Sequence, residues 1–204
     1  NIVKGMIHAK EYISKHRNPI DEQKKMLVHL LEKAKGTAFG KHYGFQQILR
    51  SKNVQKTFAE QVPFFDYDKI NGEWWNEQHK SNSKNITWPG DPNHYALSSG
   101  TTGKTSKRIP ITNDMIDAIQ KAGIQQVFAL KNFDLPAEFF EKEIMMLGSS
   151  TDLIEKENHV EGEISGISAS NIPSWFRGYY KPGQEIAEID DWDKRVKKIV
   201  EKAP

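Results

Sequence analysis

Apolar positions recur at helical spacing in the first third of the chain and in shorter, strand-like runs after it. Met26, Leu27, Leu30, Leu31 and Ala34 lie three and four apart, which predicts one apolar helix face. Asn18-Pro19 supplies its start. Asn18 reads as the cap and Pro19 as the first helical position, with Asp21 and Glu22 in the first turn, where the helix presents unpaired N–H groups. Gly36 is a stop signal. A further helix is expected over residues 2–15, and Phe39, Tyr43 and Phe45, set among glycines, are expected to pack against these helices. Residues 58–62 read as a short helix closed by Pro63, and Asp66 as the cap of a helix containing Ile70, Trp74 and Trp75.

From residue 86 onward strands enter. Residues 86–90 read as a strand ending in a turn, and residues 94–97 and 108–111 as two extended segments. A long helix over 113–130 starts at Thr112-Asn113-Asp114 and carries the stripe Ile116, Ile119, Gly123, Val127 and Leu130. Residues 144–147 are all apolar and predict a buried strand. Gly148-Ser149-Ser150-Thr151 follows at its carboxyl end, where open α/β sheets bind ligands, so Ser149 and Ser150 are candidate substrate contacts. Residues 158–168 suggest a hairpin or irregular segment. The last helix is expected to begin at Asp190 or Asp191, with Trp192, Val196, Ile199 and Val200 inward and Lys194, Arg195, Lys197 and Lys198 outward. The fold class is therefore α/β: a helical segment over 1–62 and an α/β part with a mixed sheet over 63–204.

Composition narrows the function classes. The 204 residues are 37% apolar and 27% charged, the balance of a globular chain rather than a disordered one. With 29 basic and 27 acidic residues the charge is too even to mark a nucleic-acid binder. No apolar run approaches the roughly 18 residues of a membrane span. The first residues lack the basic-apolar-small order of a leader, and the cytoplasm is the expected location. With no cysteine, disulfides and thiolate metal sites are excluded. Neither an H-E-x-x-H motif nor a G-x-S-x-G elbow occurs.

The densest chemistry lies in Ser98-Ser99-Gly100-Thr101-Thr102-Gly103-Lys104-Thr105-Ser106-Lys107. Glycines bring backbone N–H groups close, hydroxyls donate, and ammonium charges attract, which together suit a polyphosphate. Two readings compete. Ser98 to Thr105 nearly spells the Walker pattern, which needs a helix starting at Lys104-Thr105. Pro110 opposes that helix by removing a donor and clashing with the preceding turn, and it biases Ile109 toward extended geometry. The second reading is a loop between two extended segments, with Lys107 at its far end as the cation. The helix after the second segment begins near the loop in sequence and is expected to add its dipole.

Several segments together resemble one family, the Gretchen Hagen-type acyl acid–amido synthetases. This is the auxin-responsive promoter family, found in plants and in bacteria. The resemblance rests on Phe39-Gly40-Lys41…Tyr43-Gly44-Phe45, Val62-Pro63…Tyr67, Trp88-Pro89-Gly90, Ser98-Ser99-Gly100-Thr101-Thr102…Lys107…Ile109-Pro110, Ser165-Gly166-Ile167 and Asn171-Ile172-Pro173-Ser174-Trp175. One departure is Gly103, which the family more often carries one residue later. The resemblance implies an adenylate-forming ligase using ATP and Mg²⁺ on a small-molecule carboxylic acid and an amine or amino acid, without nucleic-acid or membrane partners. It assigns the ATP phosphates to Ser98, Ser99, Gly100, Thr101, Thr102 and Lys107, with Lys107 also catalytic, and the acyl pocket to Ile119 and Gly123. It covers the N-terminal part of the family only. These 204 residues are therefore expected to be inactive alone. The competing functions are a Walker-type NTPase using Lys104 and Thr105, and a non-catalytic binding surface formed by Trp74, Trp75 and Trp175.

Overall fold

In the computed structural model, residues 18–76, 84–98, 106–136, 138–139, 142–145, 148, 150–172, 174 and 177–202 are described. They fall into two compact units, one within residues 1–91 and one within 92–204.

The first unit is helical. Its long helix α1 (Pro19–Ala34) begins as the sequence predicts: Ile20 N–H donates to Asn18 Oδ1 at 3.0 Å. Leu31 and Ala34 are buried with Phe45 and Ile48, and Leu27 packs at the edge of this cluster. Met26 and Leu30 are exposed, contrary to the broader stripe expected. The seam is narrow because the helices opposite α1 are short: α2 (Ala38–His42), α3 (Phe45–Leu49) and α4 (Val54–Gln61). Buried Thr37 caps α2, donating to Ala34 O at 2.7 Å and accepting from Gly40 N–H at 2.9 Å. A Cβ on Gly40 would overlap the Ala34 carbonyl, which makes this Thr-x-x-Gly corner specific.

Phe39 is the hub of an aromatic cluster, with Tyr43, Trp74, Phe65 and Phe45 centroids at 4.7, 4.9, 5.7 and 5.8 Å. Asp66 caps α5 (Tyr67–Ile70) through Lys69 N–H at 2.8 Å, and a π-helical turn, Asn71–Trp75, follows it. Residues 86–90 form bends rather than the strand expected. Asn85 adopts φ +58° and closes a loop with Gly90 through two bonds of 2.9 and 2.8 Å. The carbonyls of Asn85 and Ile86 accept from Ala38 and Phe39 N–H, each at 2.9 Å. The segment thus satisfies the start of α2 instead of a ladder.

The second unit is a mixed sheet with helices. Strands β1 (His94–Leu97), β2 (Arg108–Ile111), β4 (Ile154–Glu155) and β5 (Val160–Gly162) lie in the order β2-β1-β5-β4. β1 is antiparallel to β2 and parallel to β5, while β4 and β5 form a hairpin. Pro110 sits on the edge strand, where a missing donor is tolerated. Helix α6 (Asn113–Ala129) follows β2, with Thr112 Oγ1 accepting from Met115 N–H at 3.3 Å. Of residues 158–168, expected to form a hairpin or an irregular segment, 160–162 are the second strand of the β4–β5 hairpin, and 164–168 belong to helix α7 (Ile164–Ser170). Ala96, Ile111, Ile116 and Ile167 make the core, flanked by Ile109 and Leu153.

A separate parallel pair joins β3 (Ile144–Met145) to β6 (Tyr180–Lys181). The buried four-residue strand expected here is shorter: Met145 is 45% exposed, and Met146 and Leu147 lie outside the described residues. The chain then passes through α8 (Gln184–Ala187) to α9 (Trp192–Lys202), started by Asp191, whose Oδ1 accepts from Lys194 N–H at 2.8 Å. Its faces differ from expectation. Arg195 is 6% exposed and Ile199 is buried, whereas Trp192 and Val200 are exposed. The helix buries only the i, i+4 pair 195/199, and the Trp192 ring lies 5.0 Å from the Arg195 guanidinium and covers it. No helix among the described residues is long and apolar enough to cross a membrane.

Gly166 is the tightest point of the α7 packing, since a Cβ there would overlap the Ser150 carbonyl oxygen. Gly166→Ala is expected to cost about 1–3 kcal/mol through overpacking. Ile167→Ala, at a fully buried site, is expected to cost about 2–5 kcal/mol. Chemical denaturation of both variants checks this; wild-type stability for Gly166→Ala would contradict the packing described.

Candidate phosphate loop and the charged face beside it

The two extended segments expected on either side of the hydroxyl-rich loop are β1 and β2. Leu97 pairs with Arg108, and the ladder is extended by Ser98 N–H donating to Lys107 O at 3.0 Å. Lys107 N–H in turn donates to Ser98 Oγ at 3.1 Å. Ser98 and Lys107, nine residues apart, are thereby clasped at the mouth of the loop. Ser99, Gly100, Thr101 and Thr102, with Lys104 and Thr105, lie outside the described residues. No helix runs through Ser106 to Pro110, because the chain is extended there and enters β2. The loop is therefore followed by a strand, not by the helix that a Walker site requires.

The same geometry bears on the helix dipole. β2 runs away from the loop before α6 starts, so its four residues place the α6 N-terminus roughly 13 Å off. The dipole's influence falls off within about one turn, which leaves it little at the Lys107 end of β2. Of the other sequence candidates, Ile119 is half-buried and Gly123 exposed on α6. Ser149 lies outside the described residues. Ser150 is engaged in a turn, its Oγ accepting from Asp152 N–H at 3.0 Å and donating to Glu188 O at 3.3 Å. Trp74 is packed on Phe39 and His42, and Trp75 lies 6.1 Å from Tyr67. Trp175 lies outside the described residues.

A group the sequence reading missed sits beside the clasp. Side chains alternate across a pleated sheet, so the register puts Tyr95, Leu97, Arg108 and Glu161 on one face and Ala96, Ile109 and Ile111 on the other. The second face packs under α6 and α7. On the first, Arg108 Nη2 donates to Glu161 Oε1, and His159 Nε2 lies 3.0 Å from the same oxygen. One imidazole nitrogen cannot both donate to Glu161 and accept from Arg108. The 3.0 Å approach of Nη2 to Nε2 therefore follows from both donors converging on one carboxylate oxygen. Tyr95 lies beneath, with the His159 ring edge-on at 4.7 Å and the guanidinium at 5.1 Å. The only sequence signal was the i, i+2 spacing of His159 and Glu161 in a polar segment, which solvent-facing hairpins share.

Glu161 is 8% exposed. Burial alone would raise its carboxyl pKa. The hydrogen bond from His159 and the charge and hydrogen bond of Arg108 outweigh that and hold it below the usual carboxylate value. His94 begins β1 with its Nδ1 buried and, among the described residues, without a hydrogen-bond partner. Burial lowers its pKa.

These features define an α/β protein in which a hydroxyl- and glycine-rich loop joins two antiparallel strands. The model of the GH3 family N-terminal domain matches residues 8–198, and the chain belongs to the GH3 family. A search of curated proteins gives no match. Among solved structures the chain is similar to the Arabidopsis AtGH3.15 acyl acid amido synthetase in complex with 2,4-DB, at 14% identity and a TM-score of 0.51. That likeness covers 73% of this chain and 26% of the other, so the chain spans about a quarter of that protein's length. At this identity the likeness is one of fold.

Glu161 and His94 both make acid destabilising. Glu161, with its folded pKa depressed, stabilises the fold above its unfolded value near 4.3 and loses that contribution as pH falls through the folded value. His94, with its folded pKa also depressed, contributes stability above its unfolded value near 6.5 that is lost as pH falls through the folded value. Scanning calorimetry is expected to show Tm dropping in two stages between pH 7 and 3. His94→Phe should flatten the first stage and Glu161→Gln the second.

Proposed function

We propose that this chain is the phosphate-binding portion of an ATP-dependent acyl acid–amido synthetase. In this reading a carboxylate oxygen attacks the α-phosphorus of ATP, a C–O–P linkage forms, and pyrophosphate leaves. An amine nitrogen then attacks the acyl carbon, AMP departs with the C–O electron pair, and nitrogen loses a proton. The amide is the product.

The observation that carries the reading is the Ser98–Lys107 clasp. It brings together the two ends of a ten-residue segment rich in hydroxyls and glycine, between two strands, with an exposed lysine at one end. Charge accumulates on the β- and γ-phosphates as pyrophosphate leaves, and preset N–H, hydroxyl and ammonium donors stabilise it without reorganising. We assign these donors to Ser98, Ser99, Gly100, Thr101 and Thr102 of the loop, with Lys107 as the cation. Family membership supports the assignment, as does the fold likeness to a synthetase solved with a small-molecule acid. Ile119 and Gly123 on α6 are proposed to border the acyl pocket, and Ser149 and Ser150 to lie near the substrate. Among the described residues no cluster of three His, Asp or Glu gathers into a cation site. Mg²⁺ fits here as an ion carried by the triphosphate, with most of its ligands from phosphate and water. The cytoplasm, where ATP is abundant, is the proposed location.

The complete protein is expected to release pyrophosphate from ATP only when a suitable acid from a panel of carboxylic acids is present. Lys107→Ala should slow that release on the order of 10²-fold while leaving the unfolding midpoint unchanged. Lys104→Ala should change it far less. A larger loss from Lys104→Ala would transfer the role to a Walker-type lysine, and no heat on titrating ATP would leave a non-catalytic binding protein.

A further inference from the structure

Arg108, the residue directly after Lys107, is part of a tie that spans the sheet. β2 is an edge strand held to β1 over four residue pairs, and one of its residues, Pro110, has no N–H to give. Arg108 reaches from β2 over Tyr95 of β1 to Glu161 of β5, two strands away and roughly 10 Å at ordinary strand spacing. His159 donates to the same carboxylate oxygen and so fixes where that oxygen sits. A buried ion pair is seldom worth more to stability than apolar residues of the same size. What it does supply is a directional link, and this link ends on the peptide unit that carries Lys107.

We propose that Glu161, held by His159, is a positioning residue for the phosphate site. Through the Arg108 guanidinium it anchors the Lys107–Arg108 peptide, and thereby the Ser98 clasp, so that the Lys107 ammonium is presented to the triphosphate in one orientation. This rests on the reading of the Ser98–Lys107 loop as an ATP site. Glu161 does not touch the nucleotide; its effect passes entirely through Arg108 and Lys107. His159 reaches the same carboxylate oxygen beside Arg108, with the Tyr95 ring edge-on to its imidazole.

The test is a double-mutant cycle on the complete protein, read as the dissociation constant of ATP by calorimetry. Glu161→Gln removes the charge at constant shape and is expected to weaken ATP binding about tenfold, and Lys107→Ala by at least as much. The double variant should bind no worse than Lys107→Ala alone, because the carboxylate has nothing left to position. A purely structural carboxylate would lower the unfolding midpoint but leave the dissociation constant unchanged. If the two losses multiply, or if Glu161→Gln binds ATP like the wild type, the positioning role is overturned while the loop assignment stands. If Lys107→Ala itself binds ATP normally, the loop assignment fails and this role fails with it. Should Glu161→Gln not fold, Arg108→Lys, which keeps the charge but loses the forked donor, replaces it in the same cycle.

Discussion

The pairing of β1 with β2 is the constraint on which the second unit depends. Four residue pairs set the register, and the register decides everything that faces the core and everything that faces away. A slip of one residue would turn Ile109 and Ile111 out of the apolar layer and push Arg108 into it. The penalty for burying an unpaired guanidinium is several kcal/mol, well beyond what four edge pairs could recover. The clasp between Ser98 and Lys107 closes the same ladder at its loop end. The loop is thus attached to the most strongly specified element of the unit rather than to a free turn.

The two faces of this sheet do different work. Ala96, Ile111, Ile116 and Ile167 form a dry layer under α6 and α7, and the glycine at 166 lets α7 approach the Ser150 carbonyl closely. The opposite face carries Tyr95, Arg108, His159 and Glu161. Their mutual contacts satisfy the carboxylate so well that it stays ionised despite near-complete burial. An apolar face could hold the strands together as well, but it would carry no directional link across them.

How much of this was legible in the sequence depends on whether the signal was local. The Asn18 and Asp66 caps, the helix after Thr112 and the extended segments flanking the loop all come from residues within a few positions of one another, and they fall where the pattern puts them. Residues 86–90 have the composition of a strand but find no ladder. Asn85 and Gly90 close them into a loop, and the carbonyls of Asn85 and Ile86 serve the start of α2, a tertiary need that composition does not record. Arg195 was read outward by its charge, yet it is buried beneath Trp192, since a long side chain can cover its own apolar stem. The Arg108–Glu161 link joins residues 53 apart, and no local pattern marks it.

A loop between two strands poses a different electrostatic problem from a loop that opens a helix. In a Walker site the helix N-terminus contributes about half a positive charge at the phosphates, and its lysine is held by the first helical turn. Here α6 starts at the far end of β2, roughly 13 Å along the strand from Lys107, so in the proposed reading neither contribution comes from a helix. Both deficits must be met by the sheet. Closed backbone bonds at Ser98 and Lys107 fix the rim, and a guanidinium tied across β1 to a buried carboxylate fixes the residue next to it. In the proposed reading the charged face is the counterpart of that helix: it would supply, from the side, the rigidity that helical hydrogen bonds supply from below in the Walker arrangement.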